Sequence, residues 1–368
     1  MMSVIPAGVD APALHVRAVI LPGGERRDLY VAGGRVSYEK VPDAVMLGTG
    51  YVVPGLVDLH CHIGLGPDGE VDQRASEEQA SLDRDNGTLL MRDAGSPADT
   101  RWMDDRPDMP RMIRAGRHIA RPKRYLRNYA VEIEPAQLVD EVRTQAARGD
   151  GWVKLVGDWI DREVGDLTPL WPTDVLVAAI DAAHDAGARV TAHTFSEDAV
   201  EQLVDAGIDC IEHGTGLRTP VIEKMAARGV GLVPTRLQVE NFPTYARIGR
   251  ARYPRYAEHM LSLYETADAT IAAAHEAGVP VFTGTDSGGV LPHGLLAAEV
   301  VALVEKTGLA PVDALAAASW RARAWLGRPA ELHDGVPADF VLYDDDPRVD
   351  PHVLTAPKRI VLRGRVVR

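Results

Sequence analysis

Two histidines one residue apart, His60 and His62, close the apolar run VVPGLVDLHCHIGLG at positions 52–66. On a strand, residues i and i+2 share a face, so both imidazoles can reach one point. Neutral imidazole is the commonest metal ligand. A bare His-x-His also describes two unrelated histidines at a strand end, so the rest of the chain must decide. Four further residues qualify by type and position. Lys154 stands in GWVKLVGD, His193 ends VTAHT, His213 ends CIEHG and Asp286 ends FTGTD before SGG. An ammonium in an apolar strand is costly unless it is paired. Lys154 therefore reads either as half of a salt bridge or as a neutral amine that captures carbon dioxide. The resulting carbamate is a carboxylate on a long arm, able to bridge two cations. Burial and nearby metal charge both favour the deprotonated amine that this requires.

The elements that must position these residues follow from the texture of the chain. From Pro54 to about Pro329, short apolar segments alternate with Ala-rich, helix-periodic runs. The strand candidates are GLVDLHCH, GTLLMRDAG, RMIRAGRHIA, GWVKLVGD, ARVTAHT, IDCIEHG, GVGLVPT and VPVFTGTD. Eight strands alternating with helices indicate a parallel α/β architecture, and the count and span favour a (β/α)₈ TIM-like barrel. In such barrels the active site lies at the C-terminal ends of the strands. All six singled-out residues fall at or near those ends. No clear helix is predicted between Arg121 and Glu134. AAIDAAHDAGARVTAHT and ATIAAAHEAGVPVFTGTD look like copies of one helix–strand unit. This gives His184 and His275 a structural reading near helix C-termini, where a histidine suits the dipole.

Both chain ends have a different, β-rich texture. Gly23–Gly24 and Gly33–Gly34 punctuate alternating apolar residues, a hairpin signal. DFVLYDDD and RIVLRGRVV repeat the style near the C-terminus. The predicted organisation is a discontinuous β-sandwich domain from 1–53 and 331–368 around a catalytic domain at 54–330. The chain has 368 residues, 46% hydrophobic, enough for a sizeable core and more than one compact unit. With 53 acidic and 40 basic residues the formal charge is −13, which repels phosphate backbones and argues against nucleic acid. No long apolar run predicts a membrane span. MMSVIPAGVDAPALHV lacks the pattern of a secretory signal, and two cysteines form no disulfide framework, so a reducing cytoplasm is expected. The expected partner is a small-molecule substrate. A homo-oligomer is compatible with the sequence but not specified by it.

Period-two alternation turns Cys61 away from its histidine neighbours, and Cys210 reads as a packing residue too. Near the strand ends, Arg92, Asp93, Trp159, Arg162, Arg236 and His293 are softer candidates. An arginine among them could hold a substrate carboxylate, or simply make a rim salt bridge. The segment from Tyr253 to Tyr264, with Tyr256 and His259, reads as a helix over the mouth. His118 and His333 get a surface or structural reading.

The motifs PGLVDLHCH, WVKLVGD, VTAHT, CIEHG and TGTDSG, with ADFVLYDDDP and RIVLRGRVV at the end, together resemble the amidohydrolase superfamily. The likeness is to its binuclear, imidazolonepropionase-like and prolidase-like branch, and it covers nearly the whole chain. The resemblance implies that His60, His62 and Asp286 hold one metal and His193 and His213 the other. It further implies that carboxylated Lys154 and a hydroxide bridge the two. Paired metals make such a hydroxide near neutral pH, and Asp286 would act as general acid and base in hydrolysing a C–N bond of an amide, dipeptide, lactam or related group. The nitrogen-rich donor set suits zinc best, with manganese, iron or cobalt as alternatives. A mononuclear aminohydrolase (deaminase) is the main alternative, although a one-metal site needs no bridging carbamate. A non-catalytic scaffold is a further one, although no ligand position has been lost. The substrate and its contacts are unknown at this stage.

Overall fold

The computed structural model describes residues 12–368. The expected N-terminal segment at 1–53, and the signal-peptide reading, therefore fall partly outside the described residues. The molecule is α/β. Three parallel strands, Leu56–Cys61, Thr88–Asp93 and Arg111–Arg114, form one sheet. A second parallel sheet runs in the order Val131–Glu132, Ile119–Ala120, Trp152–Val156, Arg189–Thr194, Cys210–His213, Gly231–Val233. Strands Leu56–Cys61 and Trp152–Val156 are buried along their whole length, as parallel strands covered on both faces must be.

The third strand candidate splits in two. Arg111–Arg114 joins the first sheet and Ile119–Ala120 the second. Between them Gly116 has φ +72°, where an added Cβ would meet the Gln145 side chain at 2.6 Å. The eighth candidate makes isolated bridges rather than a continuous strand. Leu232 bridges Val281 and Cys61 bridges Ser287, both in parallel sense. Along it, Leu59 N–H donates to Thr283 O at 3.0 Å and Asp286 N–H to His60 O at 2.7 Å. This stretch thus links the edge of each parallel sheet to the other.

The helices start and stop where their sequences say they should. Thr219–Arg228 carries proline in its first turn and ends on Gly229 at φ +69°. Glu197–Asp205 has two acids in its first turn, facing the positive end of the dipole. His184 and His275 lie in last turns as expected. His184 Nε2 sits 2.8 Å from Asp209, and His275 is 3.9 Å from Asp313. No helix among the described residues is long and apolar enough to cross a membrane.

The two chain ends meet in a single mixed sheet of seven strands, where a sandwich of two sheets was expected. Val45–Pro54 lies at its centre, parallel to Leu14–Ile20 and antiparallel to Phe340–Tyr343. Alternation along these strands splits their apolar side chains between two cores. Val52, Phe340 and Leu342 join Leu14 and Val16 on one face. Val53, Val341 and Tyr343 pack on the other against Val300, Leu303 and Leu315 of the C-terminal helices. Val45–Pro54 then runs almost directly into Leu56–Cys61, so the mixed sheet anchors the strand that carries His60.

Close approach at the linking stretch depends on Gly284. An added Cβ would strike the Val233 side chain and lie 2.6 Å from His60 Cβ. Overpacking of this kind costs about 1–3 kcal/mol. Gly284→Ala is expected to lower unfolding stability by about that amount and to push Asp286 away from His60. Chemical denaturation checks the first effect and metal retention after dialysis the second.

Candidate metal centre

The C-terminal ends of the parallel strands bring the sequence-predicted residues together. One Asp286 oxygen lies 3.1 Å from His60 Nε2 and 3.0 Å from His62 Nε2. Ligand atoms of these three residues all fall within 4.8 Å of one another. Beside them, His193 Nδ1 and His213 Nε2 are 3.0 Å apart, and the His60 and His213 rings are 5.1 Å apart. Lys154 is fully buried, and its Nζ has no hydrogen-bond partner. Burial drives its pKa down, although Glu212 and Asp286 pull the other way.

The imidazoles are mostly neutral, the state that ligates metals. Burial, then the neighbouring His213, holds His193 well below the usual histidine range. Burial takes His213 down to about 3 and lowers His62 too. His60 is the exception. Burial and Lys154 oppose its protonation, but Glu212 and Asp286 outweigh them and raise it. Burial alone would raise Asp286, yet the adjacent histidines hold it well below the carboxylate range.

Three of the four rings are steered from behind. His62 Nδ1 lies 2.7 Å from Gly95 O, and His213 Nδ1 lies 2.7 Å from Thr235 Oγ1. His60 Nδ1 lies 2.8 Å from Glu212. Asp58 accepts from the His60 N–H, the Thr285 N–H and the Thr285 hydroxyl, tying the first strand to the Asp286 segment. Its burial pushes its pKa up to about 7.

Glu212 is the important residue that the sequence reading missed. It is wholly buried and pairs with Arg92 Nη2 and the Thr191 hydroxyl as well as His60. The signal was present: an acid in the apolar strand CIEH is as anomalous as the lysine in WVKLV. Cys210 and Cys61 are unpaired and buried. Cys61 packs with Ala80, Met91 and Met112, while Cys210 Sγ lies 3.7 Å from Glu212 Oε1.

Most of the softer candidates serve elsewhere. Arg92 is not at the mouth but below the cluster, over the Trp152 ring at 4.5 Å. Asp93 accepts from the Gly95 N–H, and burial raises its pKa to about 7. Arg236 pairs with Asp268 and Glu240, His293 pairs with Asp83 at 2.7 Å, and Arg162 is exposed. Only Trp159 of this group lines the cavity above the cluster. His333 is exposed, but His118 is not a surface residue. It is fully buried, its ring lies 5.0 Å from that of His62, and neither ring nitrogen has a partner. Burial keeps it neutral.

The cavity encloses about 410 Å³, with His62, His193 and Asp286 at its floor. The segment that showed no helical pattern supplies Tyr125 and Tyr129. The helix expected over the mouth is Pro254–Glu276, and it supplies Tyr256. His259 on this helix lies 2.9 Å from both Asp166 and Glu197. It clamps the helix to the hairpin Asp158–Asp161/Asp166–Pro169 and to helix Glu197–Asp205.

A buried histidine–carboxylate cluster at the C-terminal ends of parallel strands, beneath one cavity, defines an α/β protein with a candidate metal centre. A sequence profile described as the amidohydrolase family matches residues 51–367, and the chain belongs to that family. An uncharacterized protein of Mycobacterium tuberculosis is 54% identical over 357 residues, 96% of each chain. Ochratoxinase of Aspergillus niger is 27% identical over 228 residues, covering 60% of this chain and 46% of that one. Among solved structures, a Xaa-Pro dipeptidase with bound methionine superposes with TM-score 0.81 at 21% identity, covering 96% of this chain and 99% of that one. The A. niger ochratoxinase structure gives 0.77 at 20% identity, covering 97% and 96%.

Two predictions test the supports of the centre. Removing one partner of a buried ion pair costs about 3–5 kcal/mol. Glu212→Gln should lose about that much stability in denaturant titration, since it strands Arg92. The His259 clamp carries a pH signature. Its hydrogen bond to Glu197, against burial, raises His259 to about 9, and the same contact lowers Glu197 to about 2. A raised histidine stabilises fully below its unfolded pKa of 6.5, and the effect is lost as pH climbs through about 9. The lowered glutamate stabilises above 4.5 and loses its effect as pH falls toward about 2. Wild type minus His259→Gln stability should therefore be largest between pH 4.5 and 6.5 and shrink toward pH 10. A difference that keeps growing with pH above 6.5 would contradict the clamp.

Proposed function

We propose that the chain is a metal-dependent hydrolase of a C–N bond, in an amide, dipeptide, lactam or related group. Its binuclear centre is held by His60, His62, Lys154, His193, His213 and Asp286. The observation that carries the reading is Lys154 Nζ, fully buried without a partner beside two histidine groups and Asp286. A permanent ammonium there would have no hydrogen-bond acceptor for its protons, whereas a carbamate would turn the arm into an anionic ligand. The donor set, four imidazoles with one carboxylate and one carbamate, fits two borderline divalent ions, zinc above all. Bound there, the ions would supply Lewis acidity, lowering the pKa of a water and polarising the carbon to be attacked.

The chain's own groups do the rest. The Lys154 amine adds to carbon dioxide, forming an N–C bond and releasing one proton, which leaves an anionic carboxylate on the arm. Asp286 takes the proton of the attacking water at its carboxylate and delivers it to the leaving nitrogen. Glu212, Gly95 O and Thr235 hold the far nitrogens of His60, His62 and His213 and so fix which nitrogen faces the ions.

The scaffold is read as a (β/α)₈ barrel at 54–330, closed through the segment around Val281. The link between the two parallel sheets and the superposition on amidohydrolase structures support it. The β unit is assigned to 1–53 with 331–368, and the setting to the cytoplasm, with a small-molecule substrate.

Lys154→Ala is expected to lose most of its metal and activity, with partial rescue by short carboxylic acids that replace the carbamate. Asp286→Asn should keep its fold by circular dichroism yet lose turnover by about 10²–10⁴-fold, the usual share of a general acid–base group. Metal analysis should find two ions per chain. One tightly held ion, with activity intact in Lys154→Ala, would favour the mononuclear aminohydrolase instead.

A further inference from the structure

The floor of the cavity is polar, but its walls are not. Trp159 and Tyr125, with ring centroids 5.0 Å apart, stand over His193 at 5.5 and 5.3 Å. Tyr245 and Tyr256 close the opposite side from two successive helices. Around the opening, Leu126, Ile248 and Val290 come from three separate segments and are 38%, 70% and 53% exposed. Large apolar side chains clustered at one exposed opening mark a binding site rather than ordinary surface. Among the described residues, Arg252 is the one charged residue lining the cavity apart from its floor, and it makes no ion pair with any of them. Its guanidinium rests 5.1 Å from the centre of the Tyr253 ring.

We propose that the substrate places a bulky, uncharged aromatic acyl group in this cradle, joined by the scissile amide to a portion whose carboxylate meets Arg252. This rests on the hydrolase reading above and narrows its substrate class. Aromatic walls reward offset and edge-on ring contacts. A guanidinium free of other partners suits a carboxylate bidentately. A free dipeptide would instead bring an α-ammonium into the cavity. Among the described residues the only carboxylate lining it is that of Asp286, already engaged by His60 and His62. The reaction balances as simple hydrolysis: the C–N bond breaks, the acyl carbon gains hydroxyl and the nitrogen gains hydrogen.

The test uses the metal-loaded full chain and one series of N-acylglycines: acetyl, benzoyl and 2-naphthoyl. Companions are naphthoylglycinamide, leucylglycine and an amide with a quaternary ammonium group. The expected kcat/KM rises at least about tenfold from acetyl to naphthoyl, the scale of pocket discrimination by apolar groups. It falls about tenfold when the carboxylate becomes an amide, and Arg252→Met abolishes that difference. Trp159→Ala and Ile248→Ser flatten the acyl series. Ile248 is exposed enough for its variant to keep the fold. Independently of turnover, calorimetry should show 2-naphthoate binding to metal-free protein, weakened in both cradle variants. A flat acyl series, or a preference for leucylglycine or the ammonium amide, overturns the proposal. If nothing is hydrolysed but naphthoate binds as described, the hydrolase reading fails and the cradle stands. If naphthoate does not bind, the cradle itself fails.

Discussion

The centre depends on a buried ion pair that would touch neither substrate nor metal. Arg92 and Glu212 meet below the cluster, both fully buried. Such a pair costs less the more of its donors and acceptors are engaged. Here the Arg92 Nε–H donates to Leu59 O and its guanidinium lies over Trp152, while Nη1 has no hydrogen-bond partner among the described residues. Glu212 spends its other capacity on Thr191 and on His60 Nδ1. The last contact matters most, because the Glu212 carboxylate 2.8 Å from Nδ1 leaves Nε2 of His60 directed at Asp286. A charge buried for this purpose orients a ring that a hydrophobic substitute could not.

Backbone strain serves the same end. His213, Thr235 and Asp286 all have positive φ, at 62°, 46° and 56°. None is glycine, and each such residue costs on the order of 1–3 kcal/mol unless its surroundings hold it. All three belong to the centre or its direct supports. The left-handed kink at His213 breaks strand alternation, which is how Glu212 and His213 can both face the cluster from adjacent positions. Asp286 makes the equivalent turn at the end of the linking segment, held by its own N–H on His60 O.

These details explain what was legible in the sequence and what was not. His60 and His62 could be paired because they sit on regular strand, where period two holds. Lys154 stood out because an ammonium is foreign to an apolar run. Glu212 escaped because it shares a strand face with Cys210, which reads as packing, and the kink at His213 is what lets the histidine reach the same cluster. Arg92 was placed at the mouth by its position near a strand end, but a strand-end arginine points wherever its counter-charge lies. His118 looked peripheral because nothing local predicts burial of a histidine in a loop between two short strands. The β unit was recognisable by its glycine turns, but strand order is a long-range property, and one sheet was mistaken for two. The aromatic cavity is assembled from loops and helix ends far apart in sequence, which no local pattern joins.

The central place of Val45–Pro54 in the mixed sheet has a consequence for biogenesis. Val53 pairs with Val341, nearly the whole length of the chain away. At about 5–20 residues per second, translation leaves this strand without its partner for roughly 15–60 s. During that time an apolar strand edge is open on the nascent polypeptide. The parallel strands between can begin to order meanwhile, but the sheet that anchors His60 closes only once Phe340–Tyr343 has been made. Chaperone demand should therefore fall on the early, N-terminal strands rather than on the metal-bearing middle.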